Sequence, residues 1–422
     1  MGFFSRNDIF KTVKSLNYNV KLVFAFSFLQ SVGRGIWMGN ILSSYIFLIT
    51  NESNELLGLT SAATGVAMTM TVLPAGYFSD RFPRDRILRG ASIVGFIGLV
   101  CALLATDIVM IFVALLFWGL FQGMNRPSLE AIFADSVESG NRSKAYAWNH
   151  LIRQIAMASG PFVNIVLFIL LGDIWDIQIL KIVMVFGLLI SMSSLLIMLR
   201  FDDKKSLGRA SEHLDLVYKS DKDQNNYLSQ PSLLIIITLL ISNLIIGFGA
   251  GMTVKFFPIF FMKQYNLTPI PVQLIMGMTS IITGLTSIYT QKYSIKRGRA
   301  EMIFLVQGIA TVCLFVISFY PPIIILIPIF LARGSLMNAA QPLSRSILMD
   351  VVPKSNRGKV NSLETLAWGM FWNFSAAIGG FLIGPNNNFR LCFIVTTSLY
   401  VIGTLLILVL IPLVAKEKTG TS

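Results

Sequence analysis

Apolar blocks of about 20 residues recur along the whole chain and restrict the folds that it can adopt. A helix of about 20 apolar residues is long enough to cross the roughly 30 Å hydrocarbon core of a bilayer. Of the 422 residues, 54% are hydrophobic and only 13% are Asp, Glu, Lys or Arg, whereas soluble domains carry about 25% of these charged residues. So few charges cannot cover a soluble surface of this size. The sequence therefore predicts an all-α, polytopic membrane protein.

Charged or Pro/Gly/Asn-rich breaks divide the blocks into twelve predicted transmembrane helices. The predicted spans are 20–50, 57–78, 87–106, 109–134, 145–171, 177–199, 232–262, 269–291, 301–319, 322–349, 360–384 and 389–414. A charged stretch with almost no apolar run separates the sixth span from the seventh. We therefore expect a six-helix bundle over 1–200, a cytoplasmic central loop over 201–230, and a second six-helix bundle with a short tail over 231–422.

The distribution of Lys and Arg predicts the orientation of the spans. If both termini are cytoplasmic, 25 of the 34 Lys and Arg residues lie on the cytoplasmic side, six lie within helices, and three lie outside. A bias of this size fixes the orientation, because loops rich in Lys and Arg stay in the cytoplasm. The net charge of +13 therefore reports orientation rather than nucleic-acid binding. No removable signal peptide is expected, since no apolar core with a small-residue cleavage site opens the chain.

Residues that usually carry catalysis or hold metals are scarce. The three cysteines lie within apolar blocks without a CxxC pair, and the chain has two histidines. The loops contain neither a phosphate-cradling motif nor a nucleophile elbow. We therefore expect no enzyme activity, no cofactor and no metal site. The expected partners are a small-molecule substrate and the lipid bilayer, with protons as an open alternative; we expect a monomer and no nucleic acid.

The chain repeats itself at a constant offset in residue number. Adding one constant number to the residue number leads from Arg84 to Arg299, from Asp135 to Asp350, and from the segment 141–144 to 356–359. We call this constant difference the repeat offset. One spacing shared by separated loops is difficult to obtain by chance. Because a repeat of six helices preserves the direction of the chain through the membrane, the halves are expected to be pseudo-symmetric about an axis along the membrane normal.

The loop between the second and third spans reads Gly76-Tyr77-Phe78-Ser79-Asp80-Arg81-Phe82-Pro83-Arg84-Asp85-Arg86. It resembles the signature G-x-x-x-D-R-x-G-R-R of the major facilitator superfamily, and a degenerate copy at 293–299 stands where that family repeats it. The resemblance covers essentially the whole chain and implies two six-helix bundles that expose a site alternately to each side of the membrane. It does not identify the substrate, because this fold hosts many cargoes.

Three positions depart from the family's patterns. Pro83 stands where Gly is usual, and Ile295 replaces the acidic residue of the second copy, so only the first loop is expected to carry the full charge relay. In the fourth span the R-x-x-Q-G pattern begins with Gly119, so the arginine associated with proton coupling is missing. The titratable candidates for direct coupling are Glu130, His150 and Glu364. Symport, antiport and facilitated diffusion stay open, as do import and export.

Arg34 is the clearest candidate for substrate binding. It lies near the middle of the first span, between two glycines, and shares a helix face with Gln30 and Trp37. A charge in the bilayer is costly unless water, a partner or a substrate compensates it. The sequence therefore predicts either an anionic group of the substrate beside Arg34 or an internal ion pair with Glu130 or Glu364.

The family resemblance implies that the first, fourth, seventh and tenth spans line the central cavity. The candidate substrate-binding residues on these spans and on the fifth are Gln30, Arg34, Trp37, Gln122, Arg126, Arg153, Lys255, Arg333 and Gln341. Six cations lie within the spans, against two carboxylates. This positive excess favours a carboxylate, phosphate or sulfate on the substrate over a cationic drug.

Charged residues near the cytoplasmic ends are candidates for gating. They are Asp80, Arg81, Arg84, Glu130, Arg345 and Glu364. The resemblance implies that Asp80 approaches the N-terminus of the eleventh span, where unpaired N–H groups favour negative charge; alternatively, the signature loop only sets orientation. The repeat relates Glu130 to Arg345, and these two, or Arg126 with Glu364, are expected to help close the cytoplasmic gate.

Two classes of function fit this pattern. The first is a solute carrier that works by alternating access. The alternative is a substrate sensor or a membrane scaffold that keeps the same fold without transport. A sensor normally carries a long soluble signalling domain, so the short segments before the first span and after the last favour the carrier.

Overall fold

The computed structural model describes residues 16–137, 142–207, 230–352 and 357–414. Within these ranges the chain is helical, with short turns and no strand. The helices are α1 (Tyr18–Trp37), α2 (Asn40–Ile49), α3 (Asn54–Arg81), α4 (Arg84–Leu104), α5 (Ile108–Ala134), α6 (Arg142–Leu171), α7 (Ile177–Met198), α8 (Gln230–Val254), α9 (Phe257–Tyr265), α10 (Pro269–Arg297), α11 (Arg299–Ile317), α12 (Ile323–Val351), α13 (Arg357–Ile383) and α14 (Phe389–Ile407).

These helices confirm the predicted all-α, multi-pass membrane fold. Ten helices of the described ranges are long and apolar enough to cross a bilayer: α3 to α8, α10 to α12, and α14. The first predicted span is divided into α1 and α2, because Gly39 adopts a φ of 83° that interrupts the helix. The eleventh predicted span corresponds to α13, whose part Gly369–Ile383 is a shorter apolar helix.

The internal repeat extends to details of the backbone. The seventh predicted span is also divided, into α8 and α9, and this break lies close to the position that the repeat offset predicts from Gly39. Asn51 and Asn266, which the repeat offset relates, both have a left-handed φ of 51°. Asn tolerates this conformation better than most residues do. The halves therefore share helix breaks and turns as well as sequence.

The described residues form two compact units. Unit 1 lies within 1–38, 67–160 and 184–226, and unit 2 lies within 39–66, 161–183 and 227–422. Unit 2 thus combines the C-terminal half with one end each of several N-terminal helices. The predicted division of the chain at 201–230 stays a prediction, since the described residues stop at 207 and resume at 230.

An ion pair is repeated in the two units. In unit 1, Arg84 at the start of α4 pairs with Asp135 at the end of α5. In unit 2, Arg299 at the start of α11 pairs with Asp350 at the end of α12. The repeat offset takes both members of the first pair to the second. Residues matched by sequence alone therefore make the same contact between equivalent helices.

The first pair also holds the beginning of the central loop. Asp203, in a turn after α7, accepts a hydrogen bond from the backbone N–H of Arg84 at 3.3 Å. The backbone N–H of Leu207 donates to the carbonyl of Asp135 at 3.0 Å. Asn19 of α1 donates to the carbonyl of Asp202 at 2.9 Å. The chain leaving α7 is therefore tied to α1, α4 and α5 of unit 1.

We predict that Asp135→Asn lowers the melting temperature of the purified protein more than Asp350→Asn does. The Asp135 side chain is 27% exposed and the Asp350 side chain is 60% exposed, and exposed ion pairs contribute only about 0.2–1 kcal/mol. Thermal unfolding in detergent measures the difference, and each variant is the control for the other. An equal or larger loss in Asp350→Asn would contradict the prediction.

Candidate functional site

Two glycines allow α1 to lie against its neighbours in unit 1. A Cβ atom added to Gly33 would lie 2.8 Å from the carbonyl oxygen of Gly187 in α7, and one added to Gly35 would lie 2.7 Å from the carbonyl oxygen of Met157 in α6. Real Cβ atoms do not approach backbone so closely. The absence of side chains at both positions therefore fixes α1 against α6 and α7 on either side of Arg34.

Gln30 and Trp37 take part in this packing. The Oε1 atom of Gln30 accepts a hydrogen bond from the Ser194 hydroxyl at 2.5 Å, and the indole N–H of Trp37 donates to Ser191 at 3.0 Å. The Trp37 ring also contacts Trp118 of α5 edge to face, with 5.3 Å between the ring centroids. Both residues thus position α1 between α5 and α7, while their predicted contact with substrate stays a prediction.

Arg34 lies between these contacts, and its Nε atom is buried without a hydrogen-bond partner among the described residues. Its charge interacts repulsively with the charges of Arg126 in α5 and Arg153 in α6. The helix packing is consistent with this proximity, because α1 contacts α5 through Trp37 and Trp118 and α6 through Gly35 and Met157, about one turn after Arg153. Three arginines from three helices of unit 1 therefore share one neighbourhood, which we call the arginine cluster.

Glu130 is the carboxylate that interacts with the arginine cluster. It follows Arg126 by about one turn of α5, attracts it electrostatically, and is exposed. Among the described side chains, no ion pair joins Arg34 to a carboxylate. The side chain of Glu364, the other predicted partner, lies outside the described residues. The described cluster therefore holds three cations and one carboxylate.

Gln122 adds a polar group to this region of unit 1. It lies on α5 about one turn before Arg126 and is partly exposed. Gly123, the next residue, packs closely on α3, since an added Cβ would lie 2.7 Å from the carbonyl oxygen of Met68. This contact fixes the rotation of α5, and with it the face that carries Gln122 and Arg126.

Unit 2 contains the other predicted cations of the membrane helices. Lys255, at the break between α8 and α9, donates to the Asn373 side chain at 3.1 Å. Arg333 of α12 is 6% exposed, donates to the Tyr400 hydroxyl at 2.9 Å, and lies 4.8 Å from the Phe257 ring centroid. This aromatic surrounding favours a buried guanidinium. Arg333 therefore lies inside the packing of unit 2, while Gln341, two turns further along α12, is exposed.

The predicted gating residues occupy different environments. Arg84 forms the repeated ion pair, and the guanidinium of Arg81 lies 4.3 Å from the Tyr77 ring centroid. Glu130 of unit 1 and Arg345 of unit 2 are exposed. The side chains of Asp80 and Glu364 lie outside the described residues. The predicted gating roles therefore stay predictions.

Sequence reasoning missed a set of polar contacts at the predicted outer end of unit 2. Asp173, between α6 and α7, accepts hydrogen bonds from the backbone N–H of Ile270 at 2.8 Å and from the Thr268 hydroxyl at 2.6 Å. Thr268 is the N-cap residue of α10, and its own side chain makes no capping bond. Asp173 therefore caps α10 from a distant part of the chain.

Further hydrogen bonds join residues of unit 2 that are far apart in sequence. The indole of Trp175 donates to the Leu267 carbonyl at 2.7 Å, and Asn54 at the start of α3 donates to the Gly384 carbonyl at 2.9 Å. Deeper in this region, Gln273 of α10 is fully buried and accepts from Asn164 of α6 at 3.4 Å. No local sequence pattern predicts these pairs, because the two residues of each pair are far apart in sequence.

We predict that Gly160→Ala lowers the melting temperature, because a Cβ at Gly160 would collide with the backbone of Gly35 and overpacking costs about 1–3 kcal/mol. Gly284→Ala is the matched control, since nothing lies within 4 Å of a Cβ there and Ala favours a helix interior. Thermal unfolding in detergent compares the two. Equal melting temperatures would contradict the proposed close contact of α1 with α6.

Comparisons with known proteins give the family of the chain. The sequence profile of the Major Facilitator Superfamily matches residues 23–335 and, in a second match, residues 239–422. No curated protein sequence matches the chain. The first match alone covers well over half of the residues, and the two matches overlap as an internally repeated chain would produce.

Solved structures of transporters have the same fold. A bacterial homologue of the human lysosomal transporter Spinster, in an inward-facing and occupied conformation, matches with a TM-score of 0.73 and 12% identity over 96% of this chain and 98% of that one. The peptide transporter POT in complex with sulfate matches with a TM-score of 0.70 and 12% identity, over 97% and 99%. A bacterial homologue of the iron transporter ferroportin, in an inward-facing state, matches with a TM-score of 0.67 and 12% identity, over 92% and 98%.

Identities this low establish the fold but say nothing of the cargo. The profile match is independent of these structures and agrees with the signature loop, the twelve predicted spans and the internal repeat. The chain belongs to the Major Facilitator Superfamily.

Proposed function

We propose that this chain is a secondary transporter that carries a small organic anion across a membrane by alternating access, with both termini in the cytoplasm. One observation carries the anion assignment: Arg34, Arg126 and Arg153 repel one another in unit 1, and the buried Nε of Arg34 has no partner among the described residues. An anionic cargo group supplies the missing charge and hydrogen-bond acceptor.

The physical argument rests on the cost of an unpaired charge within the membrane. A cation in a membrane helix persists only where a counter-charge, water or substrate compensates it. Arginine suits this role because its planar fork of N–H donors matches carboxylate and phosphate oxygens and because it stays charged at any physiological pH. A cationic cargo would instead meet three repelling charges in the arginine cluster.

The fold alone does not choose among cargoes. The similar structures include a peptide transporter in complex with sulfate and a homologue of an iron transporter, and one fold hosts many functions. The arginine cluster consists of this chain's own residues, so it is stronger evidence for the kind of cargo than the likeness to these structures is. Protons remain a candidate coupling ion, and Glu130, an exposed carboxylate beside Arg126, is the described residue that we propose for this role.

We predict that Arg34→Gln lowers anion flux by at least about tenfold. A charge-assisted hydrogen bond contributes about 1.5–3 kcal/mol, and about 1.4 kcal/mol corresponds to a tenfold change in affinity. Arg34→Lys keeps the charge but loses the fork, so its flux is expected to lie between those of Arg34→Gln and the unmodified protein. The anion is first selected by thermal stabilisation with phosphate, sulfate, succinate and lactate, and its flux is then measured in proteoliposomes with and without a pH gradient.

The control for this experiment is Lys292→Gln, which removes an exposed cation of α10 and should leave flux unchanged. An uncharged or cationic solute that is transported equally well by Arg34→Gln would overturn the anion assignment. Binding without any flux would favour the sensor or scaffold alternative.

We predict that Asp173→Ala increases access from outside to a cysteine placed at Gln273, in a variant whose three native cysteines are replaced. The change removes the hydrogen bonds by which Asp173 caps α10, and such a cap contributes about 0.5–2 kcal/mol to stability. Its loss therefore favours opening of unit 2 at its predicted outer end. Labelling by a membrane-impermeant maleimide measures this access. Asp176→Ala is the matched control, because Asp176 accepts from Gln178 and Ile179 of its own helix. Equal labelling in both variants would count against an outer gate at Asp173.

A further inference from the structure

One face of α10 is apolar and exposed along most of the helix. Its residues follow one another at steps of three or four, so they form a single stripe. They are Leu274, Met278, Ile281, Leu285 and Ile288, and their exposed fractions run from 38% to 66%. Because α10 is long and apolar enough to cross a bilayer, such a stripe faces the hydrocarbon of the lipid. We call it the lipid stripe.

A second exposed face of α10 is polar. Ser280 and Gln291 are exposed, and they lie about 100–120° around the helix axis from the lipid stripe. Polar groups of this kind suit water or other helices rather than hydrocarbon. The two exposed faces of α10 are therefore distinct in chemistry, and the apolar one is the face that lipid covers.

The lipid stripe leads directly to positive charges at the predicted cytoplasmic end of α10. The same steps of three or four continue from Ile288 to Lys292 and Lys296, and both lysines are exposed. Tyr289, which is 62% exposed, lies beside them. Tyrosine and lysine favour this depth in a membrane helix, because their apolar parts stay near hydrocarbon while their polar ends reach the headgroups. The two ammonium groups are therefore placed at the level of lipid headgroups.

The described part of the protein does not satisfy either lysine. Among the described residues, Lys292 and Lys296 take part in no ion pair, hydrogen bond or ring contact. Asp350, at the same predicted end of unit 2, is already paired with Arg299. The two ammonium groups therefore have N–H donors to offer to an anion from outside the described chain.

The internal repeat indicates that the fold does not require these lysines. The repeat offset relates Lys292 to Tyr77 and Lys296 to Arg81 of α3. In α3, the guanidinium of Arg81 lies 4.3 Å from the centroid of the Tyr77 ring, so a side chain of the same helix contacts the cation. At the equivalent positions of α10 there are two cations in place of this pair. The difference between the halves points to a partner that α10 alone binds.

We infer that Lys292 and Lys296, together with Tyr289, bind the headgroup of an anionic phospholipid at the predicted cytoplasmic end of α10. Ammonium groups donate to the phosphate oxygens, and the acyl chains of the same lipid cover the lipid stripe. The net negative charge distinguishes this lipid from a zwitterionic one, and each lysine near an anionic bilayer surface strengthens binding by about fivefold. The inference concerns the lipid rather than the cargo, so flux in liposomes of neutral lipid is expected not to depend on these lysines.

A fluorophore on the lipid stripe tests which lipid occupies the site. It is attached to Leu285→Cys, about two turns before Lys292, in the full-length protein with its three native cysteines replaced. The protein is placed in nanodiscs with phosphatidylglycerol or phosphatidylcholine that carries a spin label on an acyl chain. Because the label quenches only at short range, quenching measures occupancy beside the stripe. We expect phosphatidylglycerol to bind there about fivefold or more tightly than phosphatidylcholine.

Two variants show whether the lysines cause this preference. In the double variant Lys292→Gln with Lys296→Gln, the preference should fall to about twofold or less. Arg297→Gln is the matched control, because Arg297 is also exposed but lies about 100° around the helix from Lys296. The dipole of α10 favours both cations alike, so the control separates the lipid stripe from a general effect of charge at the helix end. The preference should stay unchanged in Arg297→Gln, and melting temperatures verify that each variant folds.

Several results would overturn the inference. Equal quenching by the two lipids would reject an anionic headgroup, and so would a preference that survives the loss of both lysines. An equal loss in Arg297→Gln would show that any cation at this end acts alike. Displacement of the labelled phosphatidylglycerol by inorganic phosphate at constant ionic strength would assign the lysines to a free anion instead of a lipid. None of these measurements involves flux, so they are independent of a failure of the proposed function.

Discussion

The cost of holding positive charge within membrane helices is the constraint on which the candidate site depends. The chain meets this cost in two ways. Arg333 lies against an aromatic ring and donates to a tyrosine, so the protein itself satisfies much of its charge. Arg34 makes neither of these contacts among the described residues, although the Nε atoms of both arginines are buried without a hydrogen-bond partner there. Arg333 is thus part of the packing of unit 2, while the binding of an anionic cargo is the role that we propose for Arg34.

The internal repeat helps to explain why one chain contains both a packed arginine, Arg333, and an arginine without such contacts, Arg34. The ion pair of Arg84 with Asp135 and its copy in unit 2 join equivalent helices, so contacts of this kind are common to both halves. The charges of the membrane helices do not follow the repeat, since the position that matches Arg34 is Gly249 and the position that matches Arg333 is Trp118. The scaffold therefore tolerates a different charge pattern in each half.

The sequence predicted the fold well because membrane helices are marked by length and hydropathy, both of which are local. The seventh predicted span, 232–262, falls on α8 and α9, although no local signal marked its break at Lys255. Arg34 was found because one charge in an apolar span is conspicuous. The contact of Gln30 with Ser194, and that of Asp173 with Ile270, were not found. Each joins residues that are far apart in sequence, and such pairs follow from the way helices pack rather than from any local pattern.

Two of the divisions between the units lie beside a glycine and a proline. Unit 1 ends and unit 2 begins between Met38 and Gly39, and again between Gly160 and Pro161. Gly39 has a left-handed φ, and Pro161 lies inside α6 without an N–H to donate. A helix bends at such residues with the loss of fewer hydrogen bonds than elsewhere. Because unsatisfied backbone groups are costly in a bilayer, a break or bend in a membrane helix costs less free energy at these two positions than elsewhere in the helix.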